Sequence, residues 1–292
     1  MRIFVTGASG YIGRAVAAEL LRRGHHVAGL VRSDAAAATV RALGAHTVHG
    51  SLTSLDVLEL AAREHDATIH ASGIRGPQDV ADESAALDAM LAVAATGHVF
   101  VYTSGAWVYG SRGDAVVDEA APLAPLPIVA WRPAHEARVL DAAARGIRAI
   151  VVRPGVVYGE GGGIVGSLVA QAVPGPIRIV GDGANHWPLV RVDALAELYA
   201  AAVEEPGASG IYNAQTGASV PYGELARAAS RSGGGDGRIE HLTLENARAQ
   251  MGGLADALAI DLHTSTEKAR RELGWAPHRP TALEELANTV VP

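Results

Sequence analysis

Short apolar runs alternate with amphipathic stretches along the first half of the chain. Residues 2–6, 27–31, 46–49, 67–71, 99–103 and 149–153 read as six strands, each apolar and bounded by polar residues or glycine. Between them, residues 11–23, 34–43, 54–63, 78–95 and 129–145 carry helical spacing in Ala- and Leu-rich sequence. Strand and helix in repeated alternation build a parallel sheet with helices on both faces, a doubly wound α/β fold. Gly24, Gly44 and Gly146 each follow a helix and precede a strand, a common place for a helix-ending glycine.

The rhythm breaks after Arg153. Residues 159–163 are glycine-rich, 174–176 read as a rigid Pro-Gly-Pro turn, and 232–237 as a flexible loop. Helices are expected at 193–203, 222–230, 244–251 and 266–273, with a short strand at 211–213.

Composition narrows the function. Half-hydrophobic sequence (49%) over 292 residues excludes a disordered chain and supports a sizeable core. A net charge of −7 argues against a dedicated nucleic-acid binder. The absence of cysteine removes thiol nucleophiles, thiolate metal sites and disulfides, and suits a reducing cytoplasm. Residues 1–5 enter a strand directly, so no signal peptide is expected, and no apolar run is long enough for a membrane span. Lys268 is the only lysine.

Thr6-Gly7-Ala8-Ser9-Gly10-Tyr11-Ile12-Gly13 joins the first strand to the first helix. Gly7 suits a tight turn, Gly10 a close approach of pyrophosphate to the backbone, and Gly13 close helix–strand packing. The helix start then offers free amides and partial positive charge to phosphate. The spacing G-x-x-G-x-x-G resembles the short-chain dehydrogenase/reductase superfamily, in its extended, epimerase/dehydratase-like branch. Four further landmarks fall in the order of that branch: residues 102–110 (YTSGAWVYG), 153–159 (RPGVVYG), 180–183 with 190–196, and 212–213 with 268–275.

The resemblance implies a Rossmann dinucleotide-binding core over 1–153, rejoined by part of 186–213. Residues 154–292 would mainly form a smaller C-terminal substrate lobe. By the same resemblance the cofactor meets Gly7, Ser9, Gly10, Tyr11, Ile12 and Gly13. Ser51, Leu52, Ala71, Ser72 and Gly73 would lie on its adenine and ribose side, with Pro154 and Val157 after the sixth strand. The second strand ends at Arg32-Ser33. Arginine in that slot accommodates a ribose 2′-phosphate and Ser33 can add a hydrogen bond, so NADP is expected. Asp34 keeps NAD as the alternative, unless it caps the following helix.

The superfamily's Tyr and Lys, four residues apart, are missing: no Tyr has a basic residue four positions on. Trp131 and His135 stand in those slots, on one helix face. Trp131 cannot move a proton and reads as pocket wall or core anchor. His135 titrates near neutrality and reads as ribose ligand, proton carrier or structural residue. Ser104 would hydrogen-bond a substrate carbonyl, and Tyr109 would donate a proton or pack the loop. His186 and Trp187 would line the substrate pocket. The histidines show no zinc-motif spacing, so no metal is expected.

This departure resembles the superfamily's atypical members. An NADP-dependent oxidoreductase or epimerase-type enzyme on a small carbonyl or hydroxyl compound is the leading expectation. A non-redox isomerase, lyase or cyclase, or an NADP-binding regulator without turnover, are the alternatives. The expected partner is a small-molecule substrate, with a homodimer allowed.

Overall fold

Alternation within each strand divides the core into two layers. In β1 (Arg2–Thr6), Ile3 and Val5 join one apolar cluster while Phe4 joins another. The same split recurs in β5 (Val99–Thr103), with Val99 and Val101 on one side and Phe100 and Tyr102 on the other. A strand with apolar residues on both faces must be covered twice, as parallel sheets with crossover helices are. The computed structural model describes residues 1–73, 77–172, 175–277 and 279–288 and shows that arrangement.

The sheet also contains β2 (His26–Val31), β3 (His46–His49), β4 (Ala67–His70), β6 (Arg148–Pro154) and β7 (Gly210–Ala214). All seven strands run parallel, in the order β7-β6-β5-β4-β1-β2-β3. Helices α1 (Tyr11–Arg22), α2 (Asp34–Ala42), α3 (Leu55–Glu64) and α4 (Pro77–Val93) make the crossovers. Gly24, Gly44 and Gly146 hold φ of +84°, +90° and +79°, so each expected helix ending is real. The strand order reverses between β1 and β4, and ligands of open α/β sheets bind at such a reversal.

Two local expectations change, and a third falls partly outside the described residues. The helix expected over 129–145 is broken into a 3₁₀ turn (Pro127–Val129), α5 (Arg132–Asp141) and a second 3₁₀ turn (Ala142–Arg145). Pro133 sits in the first turn of α5, where its missing amide is harmless, and it disfavours a longer helix running through. The glycine-rich stretch runs directly into α6 (Gly163–Ala172), which was not expected. Its glycines mask the signal, although Val165, Leu168 and Ala172 bury an apolar stripe. Pro174, in the expected Pro-Gly-Pro turn, lies outside the described residues.

The chain after β6 contributes to both parts. Helix α7 (Val192–Glu204) packs against α1, and β7 extends the main sheet. The rest builds a lobe around Tyr158, Leu168, Trp187, Tyr222, Leu225 and Leu262. Helix α8 (Tyr222–Ser232) packs there against α6, and short strand pairs tie the lobe together.

Candidate active site

The glycine loop lies at the strand reversal. Gly7 has φ +70°, and a Cβ there would stand 2.4 Å from the Ala71 carbonyl oxygen. A Cβ at Gly13 would stand 2.2 Å from the Gly7 oxygen. Both glycines are therefore required by packing. Gly10 differs: it is exposed, has extended backbone (φ −81°, ψ 176°), and has no capping side chain over the first amides of α1. Those amides have no partner within the helix, which suits an anion. Tyr11 closes one side, its hydroxyl donating to the Gly159 carbonyl at 2.7 Å. Burial pushes that hydroxyl's pKa well up, so it stays protonated.

At the end of β2, Arg32 is exposed and makes no hydrogen bond or ion pair among the described residues. Ser33 is the N-cap of α2, accepting from the Ala36 amide at 3.3 Å, and its hydroxyl proton remains free to donate. Asp34 is thus the first residue inside the helix and does not cap it. Ser51 and Leu52 form a turn after β3, where Ser51 Oγ pairs with Thr53 Oγ1 at 2.8 Å. Ala71, Ser72 and Gly73 continue from β4 beside Gly7. Pro154 ends β6, and half-buried Val157 pairs with Val190.

Beyond β5 a chain of buried polar groups runs inward. Ser104 Oγ donates to Glu136 Oε1. Arg153 clasps Glu136 through Nη2–Oε2 at 2.5 Å and Nε–Oε1 at 3.1 Å. Its Nη1 donates at 2.8 Å to the Tyr109 hydroxyl, which donates to Asn213 Oδ1 at 2.7 Å. The Glu136 and Arg153 side chains are only 3% and 2% exposed, so the pair is desolvated. Glu136 was invisible to motif reading, because its partner Arg153 arrives from β6.

A second buried cluster lies under α4 and α5. His70 Nδ1 is 3.0 Å from Thr6 Oγ1, and His70 Nε2 is 3.3 Å from Glu83 Oε1. The Tyr102 ring stacks on His70 at 5.9 Å and meets the His135 ring edge-on at 6.3 Å. His70 Nε2, Glu83 Oε2, the Tyr102 hydroxyl and His135 Nδ1 are all buried without a well-formed hydrogen bond among the described residues, the 3.3 Å His70–Glu83 approach being an ion-pair contact. Such groups are uncommon, and four in one cluster mark a place built for water, ligand or proton. The Trp131 ring lies 5.1 Å from that of His135, half-buried at the start of α5.

Residues 3–214 match the NAD dependent epimerase/dehydratase family. The chain belongs to that family. It is 33% identical to an uncharacterized protein of Schizosaccharomyces pombe over 99% of both chains. It is 29% identical to 4-hydroxy-2-methyl-3-oxo-4-farnesyl-3,4-dihydroquinoline-1-oxide ketoreductase of Stigmatella aurantiaca, over 94% of this chain and 92% of that one. Among solved structures, the dTDP-glucose 4,6-dehydratase of Streptomyces venezuelae, with NAD bound, superposes with a TM-score of 0.82. That likeness, at 23% identity over 99% and 96% of the two chains, is one of fold.

As an enzyme of the NAD-dependent epimerase/dehydratase family, the protein takes a nicotinamide dinucleotide, and its crevice fits one. Gly7 and Gly13 are too crowded for side chains, while exposed Gly10 leaves the helix start clear. Three expectations about the remaining site residues change. Ser104 is buried with its proton committed to Glu136, so in this arrangement it braces α5 and does not donate to a carbonyl. Tyr109 is fully buried with its proton committed to Asn213, and burial raises its pKa, so it is a structural link. Trp187 is 1% exposed and stacks on Tyr222 at 4.0 Å in the lobe core. His186 faces Asp261 and His263. Lys268 donates to the Ser209 and Ile211 carbonyls beside β7, which commits it to the sheet edge.

Burial also lowers the pKa of His135 and of His98, whose ring meets Thr68 Oγ1 at 3.0 Å. The folded protein therefore binds a proton at these sites less readily than the unfolded chain. Their contribution to stability is present above the unfolded histidine value of about 6.5 and is lost as pH falls through and below it. Urea unfolding at pH 7.5 and 5.5 should show a loss of stability in the wild type that is smaller in His135→Asn. An equal loss in both would mean that His135 is solvated.

Proposed function

We propose that the protein is an NADPH-dependent reductase of a small keto compound. Arg32 carries the reading: a guanidinium with no partner among the described residues, at the end of β2 beside a Ser33 hydroxyl free to donate, suits a 2′-phosphate. Two reductase-named relatives support the substrate class. One is the Stigmatella ketoreductase. The other is the 2-alkyl-3-oxoalkanoate reductase of Stenotrophomonas maltophilia, 26% identical over 98% of this chain and 97% of that one.

Gly7, Ser9, Gly10, Ile12 and Gly13 would hold the pyrophosphate, with Tyr11 bracing the loop. Ser51, Leu52, Ala71, Ser72 and Gly73 would hold the adenosine side, and Pro154 and Val157 would flank the far end. When bound, the cofactor supplies a hydride. The proton comes from solvent through a bound water. His135, whose pKa burial lowers, favours the neutral imidazole, so it would orient that water or a ribose hydroxyl as an acceptor rather than supply the proton itself. Trp131 walls the pocket and excludes water. Ser104, Glu136, Arg153, Tyr109 and Asn213 fix the strand ends against α5.

The test is cofactor preference followed by turnover. Wild-type protein should bind NADPH more tightly than NADH and consume it with β-keto esters or α-substituted ketones. Arg32→Ala should weaken NADPH binding about tenfold or more, the worth of one charged hydrogen bond, and leave NADH nearly unchanged. Equal loss for both cofactors, or tighter wild-type NADH binding, would defeat the NADPH assignment.

A further inference from the structure

We propose that His186, Asp261 and His263 form a binding site for a divalent first-row transition cation of the zinc class. The site lies in the C-terminal lobe and is independent of the reductase reading. Sequence spacing gave no hint of it, because 75 residues separate His186 from Asp261. In the fold, one donor atom from each residue lies within 4.8 Å of the other two. His186 Nδ1 stands 3.2 Å from Asp261 Oδ1, and the two imidazole rings are 4.7 Å apart.

That spacing suits a metal. A tetrahedral ion with bonds of about 2.0–2.1 Å holds its donors roughly 3.3 Å apart. One pair is already there, and small rotations bring in the third. All three residues are half-buried, which limits competition from bulk water. The His263 imidazole has no hydrogen-bond partner among the described residues, so it can turn toward an ion without breaking a bond.

The backbone under the three ligands is already fixed. His186 lies in the pair of strands His186–Trp187 and Val220–Pro221, anchored by the Trp187–Tyr222 stack. Its amide donates to Asp261 Oδ1 at 2.7 Å, which orients the carboxylate. Leu262 N donates to the His186 carbonyl at 3.0 Å, and Arg112 N to the Asp261 carbonyl at 2.7 Å. His263 pairs with Val116 in a second strand pair. A site built on paired strands loses little conformational freedom when it closes on an ion.

The donor set selects the ion. Two imidazoles and one carboxylate suit zinc, cobalt, nickel or ferrous iron, whereas magnesium and calcium require an oxygen cage. Three protein ligands leave a fourth position for water. The ion would cross-link His186, residues 261–263 and, through Arg112, the loop leaving Tyr109, whose carbonyl accepts from Arg112 Nε at 2.8 Å.

The experiment uses tag-free, full-length protein stripped with chelator. Cobalt(II) at one equivalent should produce visible ligand-field absorption that zinc displaces and magnesium does not. Zinc should raise the melting temperature of the wild type. His186→Ala, His263→Gln and Asp261→Asn should each weaken binding by more than about 100-fold, above the usual cost of losing an outer-sphere contact. Melting of each metal-free variant reports folding, and His263→Gln breaks no side-chain hydrogen bond among the described residues, so it decides the matter if His186→Ala fails to fold. No binding of cobalt or zinc at micromolar free metal, or equal binding by folded His263→Gln, would overturn the site.

Discussion

Glu136→Ala should destabilise the protein by about 3–5 kcal/mol in urea unfolding, the cost of leaving one member of a buried ion pair alone. The substitution strands the Arg153 guanidinium at 2% exposure and removes the acceptor of the Ser104 hydroxyl. Arg153→Met should cost a comparable amount by stranding the carboxylate and freeing the Tyr109 oxygen. Glu136→Leu combined with Arg153→Met should recover part of the loss, because packed apolar side chains can replace a desolvated pair. Recovery should be incomplete, since Ser104 and Tyr109 still lose hydrogen bonds. Single costs below about 1 kcal/mol, the range of exposed pairs, would mean that water reaches the network.

That network also shows where sequence reading stops. The six N-terminal strands and the endings at Gly24, Gly44 and Gly146 were legible because each leaves a local signature: a short apolar run bounded by polar residues or glycine, or a positive φ that glycine carries without strain. The glycine turn was legible from its local spacing, and Gly13 packs on Gly7 within that unit, although the contact that crowds Gly7 comes from Ala71 after β4. Side-chain direction was not. Ser104 and Tyr109 carry chemistry-bearing groups in a loop beyond β5, yet both turn inward, because Glu136 and Arg153 arrive from α5 and β6 to meet them. Trp187 follows a polar loop and looks like a pocket wall, but Tyr222, 35 residues on, covers it. Position 135 was found because the resemblance puts the superfamily's lysine slot there, whereas its neighbours His70, Glu83 and Tyr102 belong to three other elements and share no motif. Long-range partners of polar groups need the fold before they can be read.

Gly10→Val should leave a folded protein that no longer binds dinucleotide. A Cβ at Gly10 would meet only the Gly7 oxygen, at 3.1 Å, a contact that a few tenths of an ångström relieve. Its φ of −81° is open to any residue, so the backbone is not strained. The branched side chain would instead project from an exposed position over the start of α1, where the amides lack a cap. Losing two charge-assisted hydrogen bonds to phosphate, at about 1.5–3 kcal/mol each, weakens binding by roughly 100-fold or more. Gly13→Val supplies the contrast. Its Cβ would stand 2.2 Å from the Gly7 oxygen, so that variant should lose stability itself, by about 1–3 kcal/mol or more. Fluorescence titration with NADPH and thermal unfolding separate the two effects. Cofactor affinity within a few-fold of wild type in folded Gly10→Val would mean that the pyrophosphate does not cross this loop.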